Sequence, residues 1–408
     1  MSADQIVIVG GGHAAAALCA ALADAGQGGR VHLVSAENEL PYQRPPLSKS
    51  FLKRAEEVLA QHKAAEWYAE QGIQIHLGDP VVQIERDARR VLLRSGATLA
   101  YQNLVLATGT RARTLDALAP DLRNVHVLRD AANARSLRAR LGEMISEGRR
   151  LTVLGGGFIG LELAASARQI GLEVNVLEVA PRLLGRSVSA LLAEHVLAHH
   201  RGMGTAVQIG VNIEGFELHG DRLVSMQVNG DRVAVDELVL GIGAVPEVRL
   251  AVECGLAVDN GVLVDACMRT ADPAVLAIGD CAAFPTTNGA RLRLESVQNA
   301  NDQARTAATM LLGREQPYRS LPWFWSEQGP MRLQMAGLLP PSSETVVRAG
   351  ANLTSFTLFH LKDGSVLCAE SVNAPLDHMM SRKLIETGRV VNQSALADPS
   401  IPLKSLLA

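Results

Sequence analysis

An α/β fold with two βαβ units and an α+β end is predicted by three observations on the 408-residue sequence. A short β-branched run ends in Gly10-Gly11-Gly12 and leads into a stretch rich in small helix formers. The same order of strand, glycine turn and helix returns at Gly155-Gly156-Gly157. From residue 321 the character changes to alternating strand patterns divided by Pro-Pro and Asp-Gly turns.

In order, residues 5–9 read as a strand, 14–25 as a helix and 30–34 as a second strand. Residues 73–107 are β-rich. The second unit repeats this as strand 151–154, helix 159–169 and strand 173–177, followed by β-rich residues 207–240. A further apolar strand, 275–278, ends at Gly279-Asp280. Beyond it, strands at 355–360 and 366–372 precede a final helix.

This length predicts two or three domains. With 48% hydrophobic and 20% charged residues, the chain is an ordinary globular one. A net charge of -3 gives no reason to expect nucleic acid or an anionic membrane as partner. The five cysteines are odd in number and form no CxxC pair, which argues against a disulfide framework and for a reducing compartment. No spacing suits a metal site. Residues 6–22 are apolar, but they lack a basic flank, are interrupted by glycines and stop at Asp24. They read as strand and helix, and the chain as cytoplasmic.

Gly10-Gly11-Gly12-His13-Ala14-Ala15 is a GxGxxA form of the dinucleotide fingerprint. Gly10 serves the tight turn, Gly12 the close approach of backbone to a pyrophosphate, and Ala15 the helix–strand contact. Glu37, just past the second strand, is the candidate for the ribose hydroxyls, and Arg44 for pyrophosphate charge. Gly155, Gly157 and Gly160 form a full GxGxxG. Glu178 closes its second strand, where a carboxylate accepts from a free 2′-hydroxyl and repels a 2′-phosphate, favouring NADH over NADPH.

Other segments carry a resemblance: Leu40-Pro41-Tyr42-Gln43-Arg44-Pro45-Pro46-Leu47-Ser48-Lys49, Ala107-Thr108-Gly109, Ile278-Gly279-Asp280, Glu295-Ser296-Val297-Gln298-Asn299 and Pro322-Trp323-Phe324-Trp325-Ser326. With the two fingerprints, in this order, the chain resembles the FAD-dependent, oxygenase-coupled ferredoxin reductases over nearly its whole length. The resemblance implies two Rossmann-like nucleotide-binding domains of the glutathione-reductase type plus a C-terminal α+β domain. Expected boundaries are 1–113 with 245–320 for FAD, 114–244 for NAD, and 321–408 for the last domain. It implies FAD contacts at Ala14, Ala36, Lys49, Val82, Arg129, Asp280 and Val297, with Ala107 beside them. It implies nicotinamide-nucleotide contacts at Ile159, Glu178, Arg186 and Gly243. The partner so implied is a small [2Fe–2S] ferredoxin, or a rubredoxin, that feeds an oxygenase or cytochrome P450. The chain departs from the family's pattern at Glu327 and at Glu247.

Lys49, after a double proline that fixes its backbone, and Glu162, one turn inside the second fingerprint helix, are the candidate catalytic pair. A lysine near flavin N5 would stabilise the reduced flavin, and Glu162 would orient it. Trp325 is placed against the flavin edge, and Arg305 is a candidate for docking the carrier. Dithiol reductases of this fold need a CxxC, and peroxidases and NADH oxidases a cysteine after the first βαβ unit. Neither is present. An oxidase acting directly on oxygen, or a partner-binding flavoprotein of the apoptosis-inducing-factor type, is the alternative.

Overall fold

The computed structural model describes residues 4–185, 187–286 and 289–407. They divide into two compact units. The first comprises residues 1–44, 58–111 and 244–320; the second comprises 45–57, 112–243 and 321–408.

The first unit is built on a parallel sheet ordered Val275–Ala277, Asn103–Leu106, Ile6–Val9, Val31–Val34 and Gln74–His76. The strand Ile6–Val9 is central, with Ile6 opposite both Val31 and Asn103. Ile6, Val7 and Ile8 are fully buried, as the continuous apolar run predicts. The helices His13–Asp24 and Val297–Leu311 pack together in this unit. The turn Gly279–Cys281 also comes close to the first helix: a Cβ on Gly279 would lie 3.1 Å from the Ala14 methyl. An antiparallel meander, Val81–Glu85, Arg90–Leu93 and Thr98–Ala100, completes the β-rich segment.

The second unit repeats the plan. Its parallel sheet runs Ala206–Ile209, Glu173–Glu178, Arg150–Leu154, Glu237–Leu240 and Val125–His126. The helix Phe158–Gln169 packs on this sheet. An antiparallel sheet of the strands Trp323–Gln328, Met331–Gly337, Ser365–Val372, Phe356–Lys362 and Glu344–Ala349 follows, with the helix Pro375–Thr387 against it. Residues 45–57 also belong here. Arg138 covers the Phe51 ring at 4.2 Å and donates to the Glu57 carbonyl at 2.9 Å, tying the segment to the helix Ala131–Glu147.

Candidate nucleotide-binding and catalytic sites

Both fingerprint turns have a geometry that only glycine permits. Gly10 has φ +126°, and a Cβ there would lie 2.2 Å from the Ala107 carbonyl oxygen. Gly155 has φ +111°, with the Gly241 carbonyl 2.4 Å from the same imagined atom. At the third position the units differ. Gly160 leaves no space, since a Cβ would meet Gly155 O at 2.4 Å, whereas Ala15 is accommodated and fully buried.

The helices that begin here, after Gly12 and Gly157, have no side-chain cap. Asp130, Ser189, Ser296 and Asn392 cap four other helices. The fingerprint helices thus keep first-turn N–H donors and a glycine-lined approach, which fits a pyrophosphate in each unit.

In the first unit, Ser35 is buried, Ala36 exposed and Glu37 half-buried. Glu37 accepts from the Tyr42 hydroxyl at 2.6 Å and is ion-paired to Arg44. The Arg44 Nε lies 4.0 Å from where a Gly12 Cβ would be, so this cation stands beside the glycine turn. Val82, Asp280 and Val297 are half-buried in the same unit. Asp280 follows Gly279, whose N–H is held by Gln303 at 2.7 Å. His13 opens the helix and meets the His62 ring edge-on at 4.7 Å.

In the second unit, both Glu178 oxygens accept backbone N–H groups, from Gly156 at 2.6 Å and Ala180 at 2.7 Å. The carboxylate therefore stands fixed beside the glycine turn. Ile159, the second residue of its helix, is 49% exposed, whereas residues 160–167 after it are buried. Gly243 has φ +104°. The Arg129 N–H is held by Asn133. Arg186 lies outside the described residues.

A third constellation also lies in the second unit. Lys49 Nζ donates to Glu162 Oε2 at 2.6 Å and to the Pro45 carbonyl at 3.0 Å. Glu162 is 3% exposed and accepts from three further donors: the Ser48 hydroxyl at 2.6 Å, the Ser326 hydroxyl at 2.7 Å and the Glu327 N–H at 3.3 Å. A buried carboxylate without such partners would be costly, and this one is saturated. The Trp325 ring stands 5.6 Å from that of Trp323. Sequence reasoning found the Lys49–Glu162 pair but missed Ser48 and Ser326, although both stand inside the quoted motifs. It also missed Tyr42 as the partner of Glu37.

All five cysteines are free, and burial pushes every thiol up, Cys19 to about 12. None is poised as a redox thiolate. Among the described residues there is no group of three or more His, Cys, Asp or Glu placed to hold a metal ion. No helix among them is long and apolar enough to cross a membrane.

Two dinucleotide cradles with a buried lysine–carboxylate pair define an oxidoreductase of the two-nucleotide type. The chain belongs to the pyridine nucleotide-disulphide oxidoreductase family, whose model matches residues 4–304; a reductase C-terminal model matches 323–407. It is 41% identical to the rhodocoxin reductase of Rhodococcus erythropolis, over 99% of this chain and 94% of that protein. It is 42% identical to the ferredoxin–NAD(+) reductase component of the anthranilate 1,2-dioxygenase system of Burkholderia cepacia, over the full length of both. The crystal structure of the ferredoxin reductase for the CYP199A2 system of Rhodopseudomonas palustris superposes with a TM-score of 0.94 at 39% identity, covering 99% of this chain and 100% of that one. Within the family, full-length kinship is therefore with ferredoxin reductases. With it come a flavin and a nicotinamide nucleotide as the redox groups.

Proposed function

We propose that the chain binds FAD at the first fingerprint and NADH at the second, and passes electrons singly to a small [2Fe–2S] ferredoxin serving an oxygenase or cytochrome P450. The observation that carries this reading is the saturated Lys49–Glu162 pair, in a chain whose five cysteines are all free, four of them buried and Cys254 half-buried. The proposed division is FAD on residues 1–113 and 245–320, NADH on 114–244, and an end domain from 321.

Bound flavin would accept a hydride from the nicotinamide and release the two electrons one at a time. The chain's own contribution is binding, orientation and charge. Gly10, Gly12, Ala14 and Ala15 open a helix whose first N–H groups receive a pyrophosphate, with Arg44 as counter-charge. Ala36 and Glu37 serve the adenosine end, and Val82, Ala107, Arg129, Asp280, Val297 and Trp325 the remainder of FAD. Gly155, Gly157, Ile159, Gly160, Arg186 and Gly243 hold NADH, and Glu178 rejects a 2′-phosphate. Two of the three Lys49 protons are engaged among the described residues, which leaves one for the flavin. Glu162 orients that ammonium.

The test is NADH-driven cytochrome c reduction by the purified yellow protein, with and without a [2Fe–2S] ferredoxin, against an NADPH control. A large rate that needs both NADH and the ferredoxin is expected. Rapid NADH consumption without a carrier, ending in peroxide, would make the chain an oxidase.

A further inference from the structure

Behind Glu162 the hydrogen bonds continue into the interior. Gln328 Nε2 lies 3.4 Å from Ser326 Oγ, and its Oε1 lies 2.8 Å from His200 Nε2. Ser326, Gln328 and His200 are each 0% exposed. All three lie in the second unit.

The direction of this chain follows from proton counting. With Lys49, Ser48 and the Glu327 N–H all donating to it, Glu162 is an acceptor on both oxygens. Ser326 must therefore give its single proton to Glu162 Oε1. The Ser326 oxygen can then only accept from Gln328, so the amide nitrogen faces Ser326 and the amide oxygen faces His200. The opposite amide orientation would leave two oxygens facing each other without a proton. Gln328 Oε1 in turn requires the proton of His200 on Nε2. His200 Nδ1 is then a bare lone pair, and it has no partner among the described residues. A His199–Gln328 carbonyl contact of 3.0 Å holds the strand end in place.

We infer that Gln328, set by His200, is a positioning residue for the Lys49–Glu162 pair: it occupies the acceptor side of the Ser326 hydroxyl, so that hydroxyl donates only to Glu162. Burial, which lowers His200 to about 4, agrees with a neutral ring that carries one proton. The consequence for turnover rests on the function proposed above; the direction of the chain does not.

The experiment combines two readouts on the intact holoprotein. Nitrogen-15 imidazole shifts, with His200 assigned by its loss in His200→Asn, report the tautomer at neutral pH. The Nε2–H tautomer is expected, and Gln328→Glu should give a doubly protonated ring. Steady-state NADH oxidation with ferricyanide gives the second readout. Gln328→Glu turns the Ser326 proton away from Glu162, and Ser326→Ala removes it. Both should lower kcat about tenfold, one hydrogen bond to a charged group, with KM for NADH changed by less than about twofold. A wild-type Nδ1–H tautomer, an unchanged kcat in both variants, or equal changes in kcat and KM would overturn the inference. Should the wild-type chain oxidise no NADH, the functional reading fails while the tautomer still decides the direction of the chain.

Discussion

Removing one side chain of the buried network leaves its partners exposed to the cost of burial. Lys49→Met strands a carboxylate that is 3% exposed, with three neutral donors. Flavin reduction by NADH should slow at least about tenfold, and folding stability should fall by about 3 kcal/mol. Stopped-flow absorbance and urea unfolding read the two effects, and unchanged rates and spectra would remove Lys49 from the mechanism. At Glu178 the expected change is in selectivity. Glu178→Ala should lower the NADH-over-NADPH ratio of kcat/KM about tenfold, and an unaltered ratio would refute the assignment. His378 shows the opposite sign. It is 4% exposed, neither ring nitrogen has a partner among the described residues, and burial lowers it to about 4. Its folded pKa lies below the unfolded value near 6.5, so it contributes stability above pH 6.5 that is lost as pH falls toward 4. His200 acts in the same direction. His378→Phe should hold or raise the melting temperature at pH 7 and flatten the loss between pH 6.5 and 4, measured by calorimetry.

Elements depend on backbone contacts that one residue can permit or forbid. A Cβ at Gly10 or at Gly155 would overlap a carbonyl oxygen of its own unit at a φ that L side chains avoid. The two substitutions should separate the cradles. Gly10→Ala should yield protein depleted of flavin, and Gly155→Ala should keep its yellow colour while KM for NADH rises at least about tenfold. Absorbance per mole and steady-state kinetics distinguish them. The chain end is held by a different device. Arg348, 5% exposed, donates to the carbonyls of Leu396, Asp398, Pro399 and Ile401. Arg348→Met removes all four of these bonds and leaves only the Asp398 carbonyl another donor, the Ile401 N–H, among the described residues, which should cost about 3 kcal/mol and speed amide exchange over residues 396–401.

At the scale of the whole molecule the net charge is -3 over 408 residues, so the net charge supplies no attraction for an anionic carrier. Docking of a ferredoxin must then rely on local cations. Arg305 is exposed on the helix Val297–Leu311 and is paired along that helix to Asp302. Arg305→Glu should lower the ferredoxin-dependent rate about tenfold and weaken its salt dependence, while ferricyanide reduction stays unchanged. Identical ferredoxin kinetics would dismiss this residue.

The sequence by itself determined what is local. Strand, glycine turn and helix follow from periodicity and from the backbone freedom of glycine, and the structure forms Ile6–Val9, His13–Asp24 and Phe158–Gln169 within a residue or two of expectation. Glu178 was legible for the same reason, since its place is set by the strand it ends. Only tertiary structure decided the surroundings of Glu162. Its partners Ser48 and Ser326 are 114 and 164 residues away, and no pattern in one chain states which distant hydroxyl will face a buried carboxylate. Gln328 and His200 read as ordinary strand and helix residues until folding buries them together. There the low dielectric makes every unshared proton costly, and that cost fixes the direction of the whole network.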